Sequence, residues 1–157
     1  MKSYLKHALV IINMASFTAL AHAEVKITNA WVKPTVPGQP VAGAYMTLVS
    51  DKDVDIVATQ SPVAGKAEIH SMSMEGNIMR MKKLERLKLK AGQAVALKPG
   101  GFHLMLMELN HQIKEGETVP ISLVTQDGSG KKATITIKVV ATVPKTSESA
   151  SDVHMHH

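Results

Sequence analysis

The sequence has no cysteine among its 157 residues, and aromatic residues make up only 3% of it. Without cysteine the chain can form neither a disulfide framework nor a thiolate metal site. The low aromatic content leaves little for stacking against nucleic-acid bases. No window shows a sustained apolar period of 3.6 residues, which argues against a helical domain. The missing cysteine excludes disulfide-stapled and thiol-based proteins, and the other two absences argue against base-stacking and all-helical proteins.

The N-terminal segment also lacks an apolar run long enough to span a membrane. After Lys2 and Lys6 come about 13 mostly apolar residues, fewer than the ~20 that a transmembrane helix requires. Ala21 and Ala23 then place small residues at both positions of a signal-peptidase site. We therefore predict a cleaved secretory signal over residues 1–23 and no membrane span after cleavage. Its removal lowers the formal net charge of +5 by the two lysines, so the mature chain is only mildly basic.

Short apolar segments alternate with Gly/Pro turns through the rest of the chain. The clearest alternation of apolar and polar residues runs from Ala133 to Val139, as in a half-buried strand. Glycine residues that favour turns, such as Gly38 and Gly76, recur along the chain. Many short strands separated by such turns indicate an antiparallel sandwich or barrel. We predict an all-β domain over residues 24–142. The composition then becomes rich in serine, threonine and charge, which predicts a flexible tail over residues 143–157.

Methionine is concentrated in one part of the chain, since six of the ten lie between residues 72 and 107. A domain that uses methionine only to fill gaps spreads it through the core. Side chains alternate along a strand with period two, so His103, Met105 and Met107 share one face of a predicted strand. Leu104 and Leu106 share the other face. One face can therefore join the core while the other presents imidazole and thioether groups.

The same parity applies to two earlier predicted strands, where His70 and Met72 share one face and Met79 and Met81 share another. Thioether and imidazole donors suit Cu(I), whereas zinc sites usually use thiolates and hard cations require oxygen. A thioether also cannot form a disulfide, which suits an exported protein. Each histidine or methionine alone is more often an ordinary residue, but the joint pattern indicates a soft-metal site.

The spacing of four residues resembles the signature of the periplasmic copper(I) chaperones called PCuAC. That signature is a histidine, ten residues, a methionine, twenty-one residues and then His-x-Met, and His70, Met81, His103 and Met105 satisfy it without a gap. The resemblance extends from about residue 25 to residue 139. It implies a cupredoxin-like, Greek-key antiparallel β-sandwich that holds one Cu(I) per domain through these four residues.

The resemblance also implies a function. A protein similar to these chaperones is periplasmic, is not an enzyme, and delivers copper by ligand exchange to the CuA centre in subunit II of cytochrome c oxidase, directly or alongside Sco-type assembly factors. We expect a monomer with no nucleic-acid partner. Periplasmic copper storage or resistance stays open as an alternative, as does a non-catalytic exported interaction module whose methionines only pack.

Two further groups of residues are candidates for copper contacts. The first is a soft rim around the site, for which a packing role is equally open, formed by Met72, Met74, Met79 and Met107. The second resembles a short form of the His/Met-rich C-terminal extension that holds a second copper, often Cu(II), in some family members; it consists of His154, Met155, His156 and His157.

Other functional classes find no support. A blue-copper electron carrier requires a cysteine ligand, which is absent. No nucleophile elbow or paired-carboxylate pattern indicates a hydrolase. A basic run over residues 80–90 is offset only by Glu85 and is interpreted as a solvated strand face, with docking of an acidic partner as the alternative.

Overall fold

The computed structural model describes residues 23–144, which form ten strands and no helix. All ten lie within the predicted domain of residues 24–142, and the predicted signal and tail fall almost entirely outside the described residues. Within residues 23–144, there is no helix with the length and apolarity needed to cross a membrane. The strands are β1 (Val25–Val32), β2 (Val41–Ser50), β3 (Val54–Gln60), β4 (Ala64–Glu75), β5 (Ile78–Lys83), β6 (Leu87–Leu89), β7 (Ala94–Leu97), β8 (His103–Leu109), β9 (Thr118–Asp127) and β10 (Lys132–Ala141).

Seven of the strands form a closed wall in the order β4-β8-β2-β1-β10-β9-β3. The wall closes where Thr59 of β3 pairs with Ala67 of β4. Neighbouring strands of the wall are antiparallel except β1 and β10, which run parallel. The predicted all-β, cupredoxin-like fold is therefore confirmed, with the two layers of the sandwich joined into one continuous barrel.

Period-two alternation builds the core of this barrel. In β2 every second side chain is buried, and in β8 Leu104 and Leu106 are fully buried. Met46 of β2 is also buried, so this methionine packs in the core. Each fully buried leucine or methionine side chain contributes roughly 1.5–3 kcal/mol by leaving water. The outward face of the same strands is thus free to carry functional groups.

One hairpin extends beyond the barrel. The last pair between β4 and β8 joins His70 to His103. Beyond His70, β4 continues to Glu75 and pairs only with β5. Gly76, with a φ of +63°, begins the two-residue turn between the strands, where a positive φ favours glycine. Residues 71–83 therefore form a two-stranded projection, here named the β4–β5 ribbon.

Candidate metal centre

The structure brings the four predicted copper ligands onto one outer face of three neighbouring strands. His70 of β4 lies directly opposite His103 of β8, with their ring centroids 5.9 Å apart. Met105 is two residues further along β8, and Met81 of β5 is paired with Met72 of β4. Paired residues point to the same side of a sheet, as do residues two apart on one strand. The face is the outer one because the intervening residues of β8 are buried in the core. That these four residues bind copper stays a prediction.

A shallow surface pocket of about 240 Å³ lies on this face. Its lining includes Met81, His103 and Met105, together with Met72 of the predicted rim. His70 is not among the lining residues, but its ring lies next to the ring of His103, which is. A separation of 5.9 Å between the ring centroids leaves room for a single ion between the two rings, given the usual metal–imidazole distance of about 2.0 Å.

Tyr45 of β2 lines the pocket. Gly43 of β2 is paired with Met105, and a Cβ atom at Gly43 would lie 2.5 Å from the Tyr45 hydroxyl oxygen. The absence of a side chain at Gly43 thus lets the Tyr45 ring lie beside the site. Trp31 stacks on Tyr45 with a centroid distance of 4.4 Å, and burial raises the pKa of the Tyr45 phenol. An aromatic residue that is itself packed against Trp31 therefore borders the pocket.

His103 is held in one orientation by a backbone contact. Its side chain is buried, and its Nδ1 lies 3.0 Å from the carbonyl oxygen of Gly101. A carbonyl can only accept a hydrogen bond, so Nδ1 carries the proton and donates it. The lone pair of the neutral ring is then on Nε2, and this arrangement is the usual one for a metal-binding histidine.

His70 is held by a carboxylate instead. Its Nε2 lies 3.1 Å from Oε2 of Glu68, whose other oxygen is 3.0 Å from Nζ of Lys83. Hydrogen bonds from His70 and then from Lys83 lower the pKa of the Glu68 carboxyl, so Glu68 is ionised at neutral pH and only accepts. Nε2 therefore donates, and the lone pair of the neutral ring is on Nδ1. That Nδ1 is buried and has no hydrogen-bond partner.

The donor atoms fit a soft monovalent ion. The buried Nδ1 of His70 has no hydrogen-bond partner, and such a group requires an explanation. A metal ion bound to this nitrogen would provide one. Residues 23–144 hold no group of three or more His, Cys, Asp or Glu side chains arranged for a metal. Zinc and hard cations prefer such groups, whereas two imidazoles with neutral thioethers suit Cu(I).

The predicted rim methionines occupy three different environments. Met72 lines the pocket itself. Met74 and Met79 lie further out on the β4–β5 ribbon. Met107 is paired with Lys66 and lies four residues along β8 from His103, a distance of roughly 13 Å. The tail candidates His154, Met155, His156 and His157 lie outside the described residues.

Sequence reasoning missed Glu68 and Tyr45. Glu68 is two residues before His70 on the same strand, so parity alone places its carboxylate on the ligand face. That signal was available in the sequence. No local signal marks Tyr45, because its position beside Met105 depends on the pairing of β2 with β8.

The basic run is largely paired within the chain. Its side chains reach carboxylates on β3, β4 and the loop between β2 and β3, and such exposed pairs contribute little to stability. Their existence leaves less free positive charge for an acidic partner than the sequence alone suggests. The pairs are Arg80 with Glu75, Lys83 with Glu68, Arg86 with Asp55, and Lys90 with Asp53.

Similarity to known proteins covers this same β-domain. A family model described as "Putative lipoprotein LpqE-like" matches residues 25–139. A "Putative lipoprotein" of Leifsonia xyli subsp. xyli is 25% identical over 115 residues, which is 73% of this chain and 69% of that protein. The solution structure of CuI-DR1885 from Deinococcus radiodurans shares 28% identity and a TM-score of 0.54, over 82% of this chain and 87% of that one. The copper-bound PCuAC domain from PmoF2 shares the fold, with 20% identity and a TM-score of 0.58, over 78% of this chain and 100% of that one.

Proposed function

Because the chain belongs to the LpqE-like family, which is the family of PCuAC-type copper chaperones, we propose that it is an exported Cu(I) metallochaperone. The observation that carries the proposal is the buried Nδ1 of His70, which has no protein partner and lies beside His103 on a methionine-lined face. The likeness to a Cu(I)-bound structure at 28% identity supports the same metal and oxidation state.

In this proposal one Cu(I) is the cargo of each domain. The donor atoms are Nδ1 of His70, Nε2 of His103, and the thioether sulfurs of Met81 and Met105. All four donors are neutral, so the bound ion keeps its single positive charge and is only moderately costly to hold at a partly exposed surface. Copper does not change its oxidation state, and the protein needs no catalytic turnover. We therefore propose a carrier and not an enzyme.

Release follows from the unequal exposure of the ligands. Met81 is 51% exposed on the β4–β5 ribbon, whereas His103 is 5% exposed in the barrel wall. An incoming thiolate or imidazole therefore reaches the copper most easily on the Met81 side and displaces that thioether first. The histidines hold the ion until the recipient supplies enough ligands to take it.

The proposed setting is the periplasm. The description of relatives as lipoproteins supports export, as does the signal predicted over residues 1–23. The proposed recipient is the CuA centre in subunit II of cytochrome c oxidase, reached directly or through Sco-type factors. A CuA centre and a thiol-bearing assembly factor both offer thiolates, which bind Cu(I) more strongly than thioethers do.

Anaerobic Cu(I) competition titration tests the proposal. We expect one tightly bound Cu(I) both in the full chain and in a version that ends at Val143. A second copper, taken as Cu(II) by the full chain alone, would assign a site to His154, Met155, His156 and His157. Absence of any binding would leave the exported interaction module. Binding without transfer to a CuA-domain acceptor would indicate storage or resistance.

Replacing Glu68 with alanine should lower Cu(I) affinity by about 10–100-fold, the usual cost of removing a residue that orients a metal ligand. The physical reason is that His70 loses the acceptor that fixes its proton on Nε2. Competition with a chromophoric Cu(I) chelator measures the affinity, and ¹⁵N chemical shifts of the copper-free imidazole report its tautomer.

Two variants serve as controls for that result. Glu68→Gln keeps an acceptor at the same position and should recover most of the affinity. Glu85→Ala removes an exposed carboxylate on the basic run and should change nothing. If Glu68→Ala leaves both the tautomer and the affinity unchanged, Glu68 does not position His70.

A further inference from the structure

Four methionines lie on one face of the β4–β5 ribbon as two cross-strand pairs. Met72 is paired with Met81, and one step further from the barrel Met74 is paired with Met79. His70 stands on the same face at the barrel end of the ribbon. The result is a continuous row of thioethers that runs from the tip of the ribbon to the histidine pair.

Packing does not account for the outer pair. Met74 is 63% exposed and Met79 is 60% exposed, whereas the core methionine Met46 is 2% exposed. Among the described strands, none other than β4 and β5 pairs with this part of the ribbon. An isolated two-stranded ribbon is only marginally stable, and exposed methionines add no core to it. Their side chains therefore need a reason outside the fold of the domain.

The chemistry of this face selects a soft ion. The only ribbon carboxylate, Glu75, is on the opposite face, which it shares with Ser73 and Arg80. The methionine face carries no oxygen donor for a hard cation. Neutral thioethers favour Cu(I) over divalent ions that prefer oxygen or nitrogen.

The spacing suits one ion held between two sulfurs. Directly paired residues have Cβ atoms about 4.5–5.5 Å apart, and each flexible methionine side chain can place its sulfur at about 2.3 Å from a shared ion. Successive pairs on one face are about 7 Å apart along the ribbon, because each strand rises ~3.4 Å per residue. A sulfur of one pair can thus approach an ion held by the next.

We propose that Met74 and Met79 form a second, outer Cu(I) site, from which copper passes along the ribbon to the histidine site and back. The inference rests on the proposed chaperone function and extends it. In each step a new Cu–S bond, or a Cu–N bond on entry into the histidine site, forms as an earlier bond to copper breaks; copper remains Cu(I), and no proton or electron moves. Donor and recipient proteins then contact the exposed tip of the ribbon and need not reach the buried His103.

NMR of the full chain with ¹³C-labelled methionine methyl groups tests the assignment, with Ag(I) as a redox-inert probe for Cu(I). The first equivalent should shift the methyl signals of Met81 and Met105. The second should shift those of Met74 and Met79 and leave that of Met155 unmoved. In Met74→Leu/Met79→Leu the second event should disappear and the first should remain. Met46→Leu, which makes the same chemical change in the core, should keep both events.

Transfer kinetics provide the functional readout. Met74→Leu/Met79→Leu should slow Cu(I) transfer to a CuA-domain acceptor by about tenfold, equivalent to about 1.4 kcal/mol in the barrier, with the affinity of the first site unchanged. Unmoved Met74 and Met79 signals with an intact first event, or an unchanged transfer rate, would overturn the outer site alone. If the first event itself is absent, the proposed function fails.

Discussion

Replacing His103 with alanine lowers the Cu(I) affinity of the chain by more than about 100-fold, beyond the 10–100-fold cost typical of losing an outer-shell partner. His103 is expected to have this effect because its Nδ1 is fixed on Gly101, which leaves the Nε2 lone pair available without any further reorganisation. The remaining ligands cannot replace it, since His70 is the only other described imidazole on this face of β4, β5 and β8. Competition titration against a Cu(I) chelator gives the ratio of affinities.

The buried position of His103 requires that folding be checked separately. Loss of its hydrogen bond to Gly101 and of its packing should reduce the free energy of unfolding by about 1–3 kcal/mol, which leaves the barrel folded. His111 offers a matched control, because it is an exposed histidine after β8 that bonds to Asn110 and Glu117. His111→Ala should retain full affinity. An equal loss in both variants would contradict a specific role for His103.

Replacing Met81 and Met105 together with leucine should remove the preference of the site for Cu(I). Leucine keeps a similar volume and apolarity but has no sulfur, so the change acts on the donor atoms more than on packing. Two imidazoles remain, which suit borderline divalent ions about as well as before. We expect Cu(I) affinity to fall by more than about 100-fold, again past the range for outer-shell changes, with weak Zn(II) or Ni(II) binding retained.

The control for this double variant is Met46→Leu, which makes the same replacement inside the barrel. It should cost less than about 1.5 kcal/mol of stability and leave Cu(I) binding intact. Parallel titrations with Cu(I) and Zn(II) separate loss of selectivity from loss of the site. If the double variant still prefers Cu(I), the thioethers of Met81 and Met105 do not hold the ion, and Met72 in the same pocket becomes the candidate.

The predictions for His103 and for the Met81 and Met105 pair depend on positions that the sequence reveals to different degrees. The alternation of His103 and Met105 with Leu104 is a local property of an extended chain, and the structure places the three side chains as that alternation requires. The position of Met81 beside them is not local. It requires β5 to fold back on β4 with one particular register, and a shift by one residue would move its side chain to the other face.

The different environments of the methionines become clear only from the tertiary structure. Met46 is in the core, Met72 lines the pocket, Met107 lies roughly 13 Å along β8 from His103, and Met74 is on the projecting ribbon. The difference arises because β4 continues beyond its last pair with β8. The sequence of β4 does not indicate where its pairing with β8 stops. That point is set on the other strand, because β8 begins at His103, directly after a turn.

Sequence alone determined the all-β class, the exclusion of thiol chemistry and the soft character of the donor set. These follow from composition, local periodicity and spacing, which need no knowledge of the fold. Tertiary structure decided the closed barrel with β1 parallel to β10, the contact of Glu68 with His70, and the exposure of the outer methionine pair. Each of these depends on pairing between distant strands, and the energy of such pairing resides in packing and hydrogen bonds that the local sequence does not encode.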